Sequence, residues 1–337
     1  MKAIRALSSY ITDEGELDYR RIYRSERLYQ GMNGRYVERF YVSPLQSYIF
    51  KPVTHSGQED REVWVYEQVL SRIPKVYPAL IDKSEDGASG WAVFEDLGPL
   101  RHEHGPKTLL RMSKLIARWH SLDPSGWDPD AFRAPKPPVQ QMARELLERR
   151  TEVSRLIHEA ALPGELLDLA LQQLEGSDWA GVKVLNHGDL HAGNYASIQG
   201  DLFVLDWEHV HLNSPLWDLY HLLDMSHPVF PRFTPRNEEL RERILRIYVH
   251  QRRFYGQELE ESGLLADYCA YACLFTLWML LLIESDLGMG SVYWSRPQLL
   301  RQQAEAMDSL KGCGLQFLRS TGADYGENKR AEEDLDE

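Results

Sequence analysis

A chain of 337 residues with 43% hydrophobic and 26% charged residues is long enough to bury a sizeable core, and it reads as a soluble globular protein of two domains or of one large domain with two lobes. The net charge of −13 argues against nucleic acid as a main partner, because phosphate backbones require clustered Lys and Arg; a cationic small substrate fits better. Three cysteines, Cys269, Cys273 and Cys313, are too few and too unevenly placed for a disulfide framework, which points to a reducing, cytoplasmic setting.

The first 25 residues alternate charges with few apolar anchors, carry no sustained apolar stretch of the signal-peptide kind, and disclose no function. Gly31 and Gly34 then frame a turn, followed by strand-like runs from Val37 to Val42 and from Ser47 to Phe50 that end at Lys51. Glycines let backbone N–H groups approach a phosphate and a lysine supplies a point charge, although any β-hairpin with an edge lysine has the same parts. From Glu59 to Ile73, residues Glu62, Tyr66, Val69 and Ile73 fall on one helical face. A carboxylate on an apolar face requires a partner; Glu67 is the other candidate for that role, and a solvated glutamate is the ordinary alternative for either. Pro74 ends this helix.

Trp91 to Gly98 reads as a short apolar strand closing on Glu95-Asp96, and Leu109, Met112, Ile116 and Trp119 keep a helical register. Pro135 to Pro138 marks a boundary before one long helix with Met142, Leu146, Val153 and Ile157 on its apolar side. Pro163-Gly164 separates it from another helix ending near Gly176.

The stretch from Leu185 to Trp207 carries the chemistry. A Gly200-Asp201 step between two β-prone runs, Tyr195 to Ile198 and Leu202 to Leu205, predicts a tight hairpin that returns Asp206 to the neighbourhood of Asn194. A hard divalent cation shared by Asn194 and Asp206 would keep its other positions for water and phosphate, leaving Asp189 as a base. A zinc reading of His187, Asp189 and His191 lacks a further cysteine or histidine at usual spacing, and turn-forming residues in an ordinary loop are the plain alternative.

His187-Gly-Asp-Leu-His-Ala-Gly-Asn194 followed by Leu205-Asp-Trp-Glu-His209, with Asp189 and Asp206 separated by 17 positions, resembles the catalytic loop and metal-binding segment of the aminoglycoside phosphotransferase and choline kinase family, relatives of protein kinases that phosphorylate small molecules. The resemblance implies an α+β, two-lobed protein-kinase-like fold. Residues 1–94 form a small β-rich lobe, 95–98 the hinge, 99–321 a larger, mostly helical lobe, and 322–337 a disordered tail. It also implies ATP or GTP with Mg2+ as cofactors. Asp189 is then the catalytic base, and Asn194, Asp206 and Glu208 surround the metal. Gly31, Asn33 and Gly34 cover the phosphates, Lys51 contacts them with Glu62 as its ion-pair partner, and backbone near Glu95 and Leu97 reads the base. His187 and Asp218 support the catalytic loop; for Asp218, simple cap and dipole stabilisation of the helix opening at Ser214-Pro215 is the alternative. His120 is structural.

Toward the C-terminus, helices run through Arg241 to Tyr255 and then through an apolar run from Tyr268 to Ile283. At 16 residues that run is short of the roughly 20 needed to span a bilayer and predicts a buried helix, so no membrane partner is expected. His-Gly-Asp instead of His-Arg-Asp, Asp-Trp-Glu instead of Asp-Phe-Gly, and the lack of an Ala-Pro-Glu segment speak for a small hydroxyl-bearing acceptor rather than a polypeptide. Aromatics such as Trp207, Trp217, Tyr220, Trp278 and Trp294 would suit an amine or quaternary ammonium, though helical aromatics are commonly core. The assembly expected is a monomer or homodimer. A kinase-like protein without turnover, of the spore-coat kind, is the competing reading.

Overall fold

The computed structural model describes residues 7–31, 33–53, 61–85, 90–132, 136–232, 237–291 and 293–322. The predicted helix start at Glu59, the boundary residue Pro135 and the tail from 323 onward lie outside them. Contacts divide the chain into two units, Met1–His102 with Asn194–His209, and Glu103–Gly193 with Val210–Glu337. Residues 194–209 thus group with the N-terminal part, whereas a boundary at 95–98 would assign them to the helical lobe.

The first unit is built on an antiparallel sheet of five strands, β1 (Arg24–Gln30), β2 (Tyr36–Ser43), β3 (Gln46–Pro52), β4 (Leu80–Lys83) and β5 (Trp91–Glu95), in the order β1-β2-β3-β5-β4. Side chains alternate across each strand. Phe40, Phe50, Trp91 and Val93 enter one core together with Leu7 and Leu17, while Lys51, between Phe50 and Pro52, faces the opposite way. Leu7 sits in a 3-10 turn, Leu7–Tyr10, within a stretch too sparsely apolar for sequence patterning to reveal it. The segment expected as one helix from 59 to 73 is wound three ways: α1 (Arg61–Trp64), a π-turn over Val65–Val69, and a 3-10 turn over Leu70–Arg72. Val65, Tyr66, Val69 and Leu70 are all buried along this segment, and single-turn π-windings of this kind occur inside otherwise helical segments.

The second unit is helical. It contains α2 (Pro106–His120), α3 (Val139–Glu148), α4 (Arg150–Glu159), α5 (Leu166–Glu175), α6 (Asp178–Gly181), α7 (Leu216–Leu223), α8 (Glu238–Phe254), α9 (Leu264–Met289) and α10 (Arg296–Ser320). The central α9 is apolar around its whole circumference, the pattern of a core helix; it is long and apolar enough to cross a membrane, yet 83% of its apolar window is buried against α3, α4, α5, α6, α7, α8 and α10. The long helix expected from Met142 to Ile157 is broken at Arg149 (φ −109°, ψ 34°) into α3 and α4. All four of its apolar anchors are buried and both halves pack on α9, so the pattern is continuous although the backbone is not. A short antiparallel pair, β6 (Val184–Asn186) and β9 (His211–Asn213), opens directly into the His187 loop.

Candidate functional site

In the first unit, Lys51 is the centre of a charge cluster. Its Nζ lies 2.8 Å from Glu62 Oε2, 2.6 Å from Asp206 Oδ1 and 3.4 Å from Glu208 Oε2. Burial alone would lower the lysine's pKa, but Asp206, Glu62 and Glu208 outweigh it and hold the ammonium well above its ordinary range. Glu62 is pushed up to about 7 by burial and by its acidic neighbours, against the pull of Lys51. The choice between the two helix glutamates is thereby resolved: Glu67 pairs with Lys83 at 2.5 Å instead. Oxygen atoms of Glu62, Asp206 and Glu208 lie within 4.8 Å of one another. Three carboxylates around one ammonium leave negative charge in excess, and an all-oxygen donor set of this kind fits a hard cation such as Mg2+.

The segment bearing Asp206 follows a hairpin, β7 (Tyr195–Ile198) and β8 (Asp201–Val204). Its two turn residues, Gln199 and Gly200, have φ +51° and +94°, the signs a tight two-residue hairpin requires. The Leu205 N–H donates to Asn194 O at 2.8 Å, which closes the return of Asp206 toward Asn194. Asp206 itself has φ +59°, a left-handed conformation rare outside glycine and frequent at functional positions. It is held by Trp207, fully buried, whose Nε1 donates to Val204 O at 3.0 Å. The hairpin joins the first unit through Ser197 N–H to Arg101 O (2.9 Å) and Val204 N–H to Val76 O (2.6 Å), which is why residues 194–209 group there.

The other predicted nucleotide contacts also belong to the first unit. Gly34 (φ +83°) closes the β1–β2 turn with its N–H on Gly31 O at 2.9 Å, and Asn33 Nδ2 donates to Val53 O at 2.7 Å. Glu95 is occupied by Lys75 (2.9 Å) and the Ala79 N–H (3.1 Å). Between Glu95 and the half-buried Leu97, Asp96 accepts from Arg39 Nε (2.8 Å), Ser47 Oγ (2.7 Å) and Gly98 N (2.9 Å), an anchoring role that no sequence pattern announced.

In the second unit, the loop from His187 to Gly193 hangs on the buried carboxylate of Asp218. Asp218 Oδ2 accepts from His187 N at 2.8 Å and Oδ1 from Gly188 N at 3.1 Å; Trp119 Nε1 (3.0 Å) and His120 Nε2 (3.3 Å) complete its shell. Burial would raise this carboxyl, but His120, His187 and the backbone donors hold it well below the ordinary carboxylate range. Gly188 has φ +90° and its carbonyl accepts Trp217 Nε1 at 3.0 Å, so an arginine would be strained there. Asn186 Oδ1 accepts the Asp218 N–H at 3.3 Å, fixing the loop's entry. Asp189 is partly exposed, its Oδ2 3.5 Å from His191 Nε2.

Sequence reading had no role for what packs on His191. The His227 ring stacks on it at 4.0 Å and 16°, Phe230 covers it at 5.3 Å, and Trp294 meets His227 edge-on at 5.8 Å. A Cβ on Gly193 would come within 2.4 Å of the Phe230 ring. The only local hint was the glycine before Asn194.

A lysine pinned between a helix glutamate and a strained aspartate, together with an aspartate on a carboxylate-braced His-Gly-Asp loop, defines the kinase-like class of phosphoryl-transfer folds. More specifically, residues 53–256, over half the chain, match the model of the phosphotransferase enzyme family, and the chain belongs to that family. Solved structures share the fold. The choline kinase of Cryptosporidium parvum Iowa II is 15% identical, with 94% of this chain and 96% of that chain covered, at a TM-score of 0.57. The macrolide 2'-phosphotransferase MphH of Brachybacterium faecium is 15% identical over 86% and 93% of the two chains, at 0.53. The amicoumacin kinase hAmiN, solved with AMP-PNP, Ca2+ and Ami, is 18% identical over 86% and 90%, at 0.52. No curated protein matches the chain closely enough to count as a relative.

Proposed function

We propose that the protein transfers the γ-phosphate of ATP to a hydroxyl of a small molecule, with an amino-sugar, choline-like, sugar or amino-acid alcohol as acceptor class. The observation that carries this reading is Lys51, held 2.8 Å from Glu62 and 2.6 Å from Asp206. A lysine fixed in this way is poised to meet the α and β phosphates, while the loop from Gly31 to Gly34 covers them and backbone near Glu95 and Leu97 receives the base. Asn194 and Asp206, with Glu208 assisting, would hold Mg2+, which when bound screens charge on the phosphate oxygens. The amicoumacin kinase, solved with a nucleotide analogue and a divalent cation, supports this cofactor pair.

In the proposed reaction Asp189 orients the acceptor hydroxyl and takes its proton as the new P–O bond forms and the bond from the γ-phosphorus to the bridging oxygen breaks, releasing ADP, with His187 and Asp218 keeping the loop in shape. Most of the rate enhancement comes from fixed charges, because the transition state spreads negative charge over oxygens and requires little covalent help. The test combines thermal stabilisation by ATP with Mg2+ and phosphate transfer over a panel of amino-sugars, choline and hydroxy amino acids. Stabilisation is expected, together with transfer to at least one acceptor that is lost in Asp189→Ala and Lys51→Met. No stabilisation and no transfer would leave a kinase-like protein without turnover.

A further inference from the structure

The rings stacked beside Asp189 define where their protons lie. His191 Nδ1 accepts the Gly193 N–H at 3.0 Å, so a neutral His191 carries its hydrogen on Nε2. That nitrogen is the one 3.5 Å from Asp189 Oδ2, a long contact of the sort that tightens when substrate binds. His227 repeats the pattern, its Nδ1 accepting Val229 N at 3.1 Å and Phe230 N at 3.2 Å. Burial, and then the proximity of His191, push the His227 pKa down to about 3, so His191 stacks on an uncharged ring. Phe230 closes the stack in space that only the absent Cβ of Gly193 leaves.

We propose that His191 is a positioning residue: its Nε2–H, held in plane by the His227 and Phe230 rings, fixes the rotation of the Asp189 carboxylate. The inference rests on Asp189 being the group that orients the acceptor hydroxyl. Asp189 stands on a loop and not within a helix or strand, so a carboxylate required to meet one hydroxyl gains from a donor that removes its torsional freedom. His227 acts one step further out, through His191.

Two measurements on the full chain test this. Long-range 1H–15N spectra of ring-labelled protein, with His191 assigned by its absence in His191→Gln, report the tautomer without need of turnover. The Nε2–H form is expected, with its Nε2 signal displaced by Asp189→Asn and by His227→Leu. The Nδ1–H form, or an Nε2 signal indifferent to Asp189→Asn, overturns the inference whatever the activity. With an acceptor in hand, His191→Leu is expected to lower kcat about 10- to 100-fold at unchanged KM for MgATP, and His191→Gln, whose amide N–H can replace Nε2–H, to recover most of the loss. An unchanged kcat in His191→Leu, or equal losses in both variants, overturns it. A native protein that transfers no phosphate defeats the phosphotransferase reading instead, and the tautomer measurement still decides the inference.

Discussion

Asp218→Asn probes how firmly the His187 loop is braced. In the native protein four donors converge on two buried carboxylate oxygens: the His187 and Gly188 N–H groups, Trp119 Nε1 and His120 Nε2. Asparagine keeps one oxygen, and whichever way it flips, its NH2 faces N–H donors. Hydrogen bonds to a charged group contribute about 1.5–3 kcal/mol each, and uncovering a buried charged network costs about 3–5 kcal/mol. At the lower figure of about 3 kcal/mol, with about 2–4 °C per kcal/mol for a domain of this size, Tm falls by roughly 6–12 °C. The sign with pH follows from the depressed carboxyl. Its contribution is complete above about pH 4 and is lost only as pH falls through the lower folded value, so the deficit of the variant persists from pH 7 down to about 4. Because the freed donors are the two residues before Asp189, kcat falls at least about 10-fold alongside. Circular dichroism melts and transfer assays check both. A Tm change under about 2 °C, or an unchanged kcat, refutes the bracing role.

A second buried node joins the end of α7 to α8, α9 and α10. Asp224 takes Arg241 in a bidentate pair at 2.8 and 2.7 Å and Tyr268 Oη at 2.6 Å, while its backbone carbonyl takes Ser309 Oγ at 3.0 Å. Asp224→Leu strands a buried guanidinium and is expected to cost about 3–5 kcal/mol in urea unfolding, with Arg241→Met added to it recovering most of that; a double variant no more stable than the single one speaks against the pair. His221, pushed down to about 4 chiefly by burial, takes up its proton only after the unfolded chain has done so. The folded state therefore loses roughly 2–3 kcal/mol from this group between pH 7 and pH 4.5. His221→Phe should flatten that part of the stability profile, and an unaltered slope counts against it.

The motif from His187 to Asn194 was legible because loop and hairpin chemistry is local. The Gly200-Asp201 step predicted a fold-back, and the observed turn lies one residue earlier, at Gln199-Gly200, with the first strand where it was expected and the second, Asp201–Val204, one residue earlier than expected. The helices of the second unit followed the spacing of Leu109, Met112, Ile116 and Trp119, all buried on one side of α2. The winding of 61–72 was not legible, since Glu62, Tyr66, Val69 and Ile73 satisfy a regular helix equally well, while Tyr66 in the π-turn packs on Phe94 and Tyr77, partners that lie outside its own helix.

By itself, the amino-acid order singled out the residues proposed for the chemistry, Lys51, Asp189, Asn194 and Asp206 among them, and many of the strands and helices, because periodicity and turn preferences act within a few residues of chain. Partnership was decided only in the folded chain. Glu62 rather than Glu67 meets Lys51, a segment from 194 to 209 joins the N-terminal sheet unit, Asp96 anchors the stretch from Glu95 to Gly98, and His227 stacks on His191, 36 positions away in sequence. Each of these depends on groups far apart along the chain competing for one place, and that competition is settled by packing and buried charge, which leave no periodic trace in the order of residues.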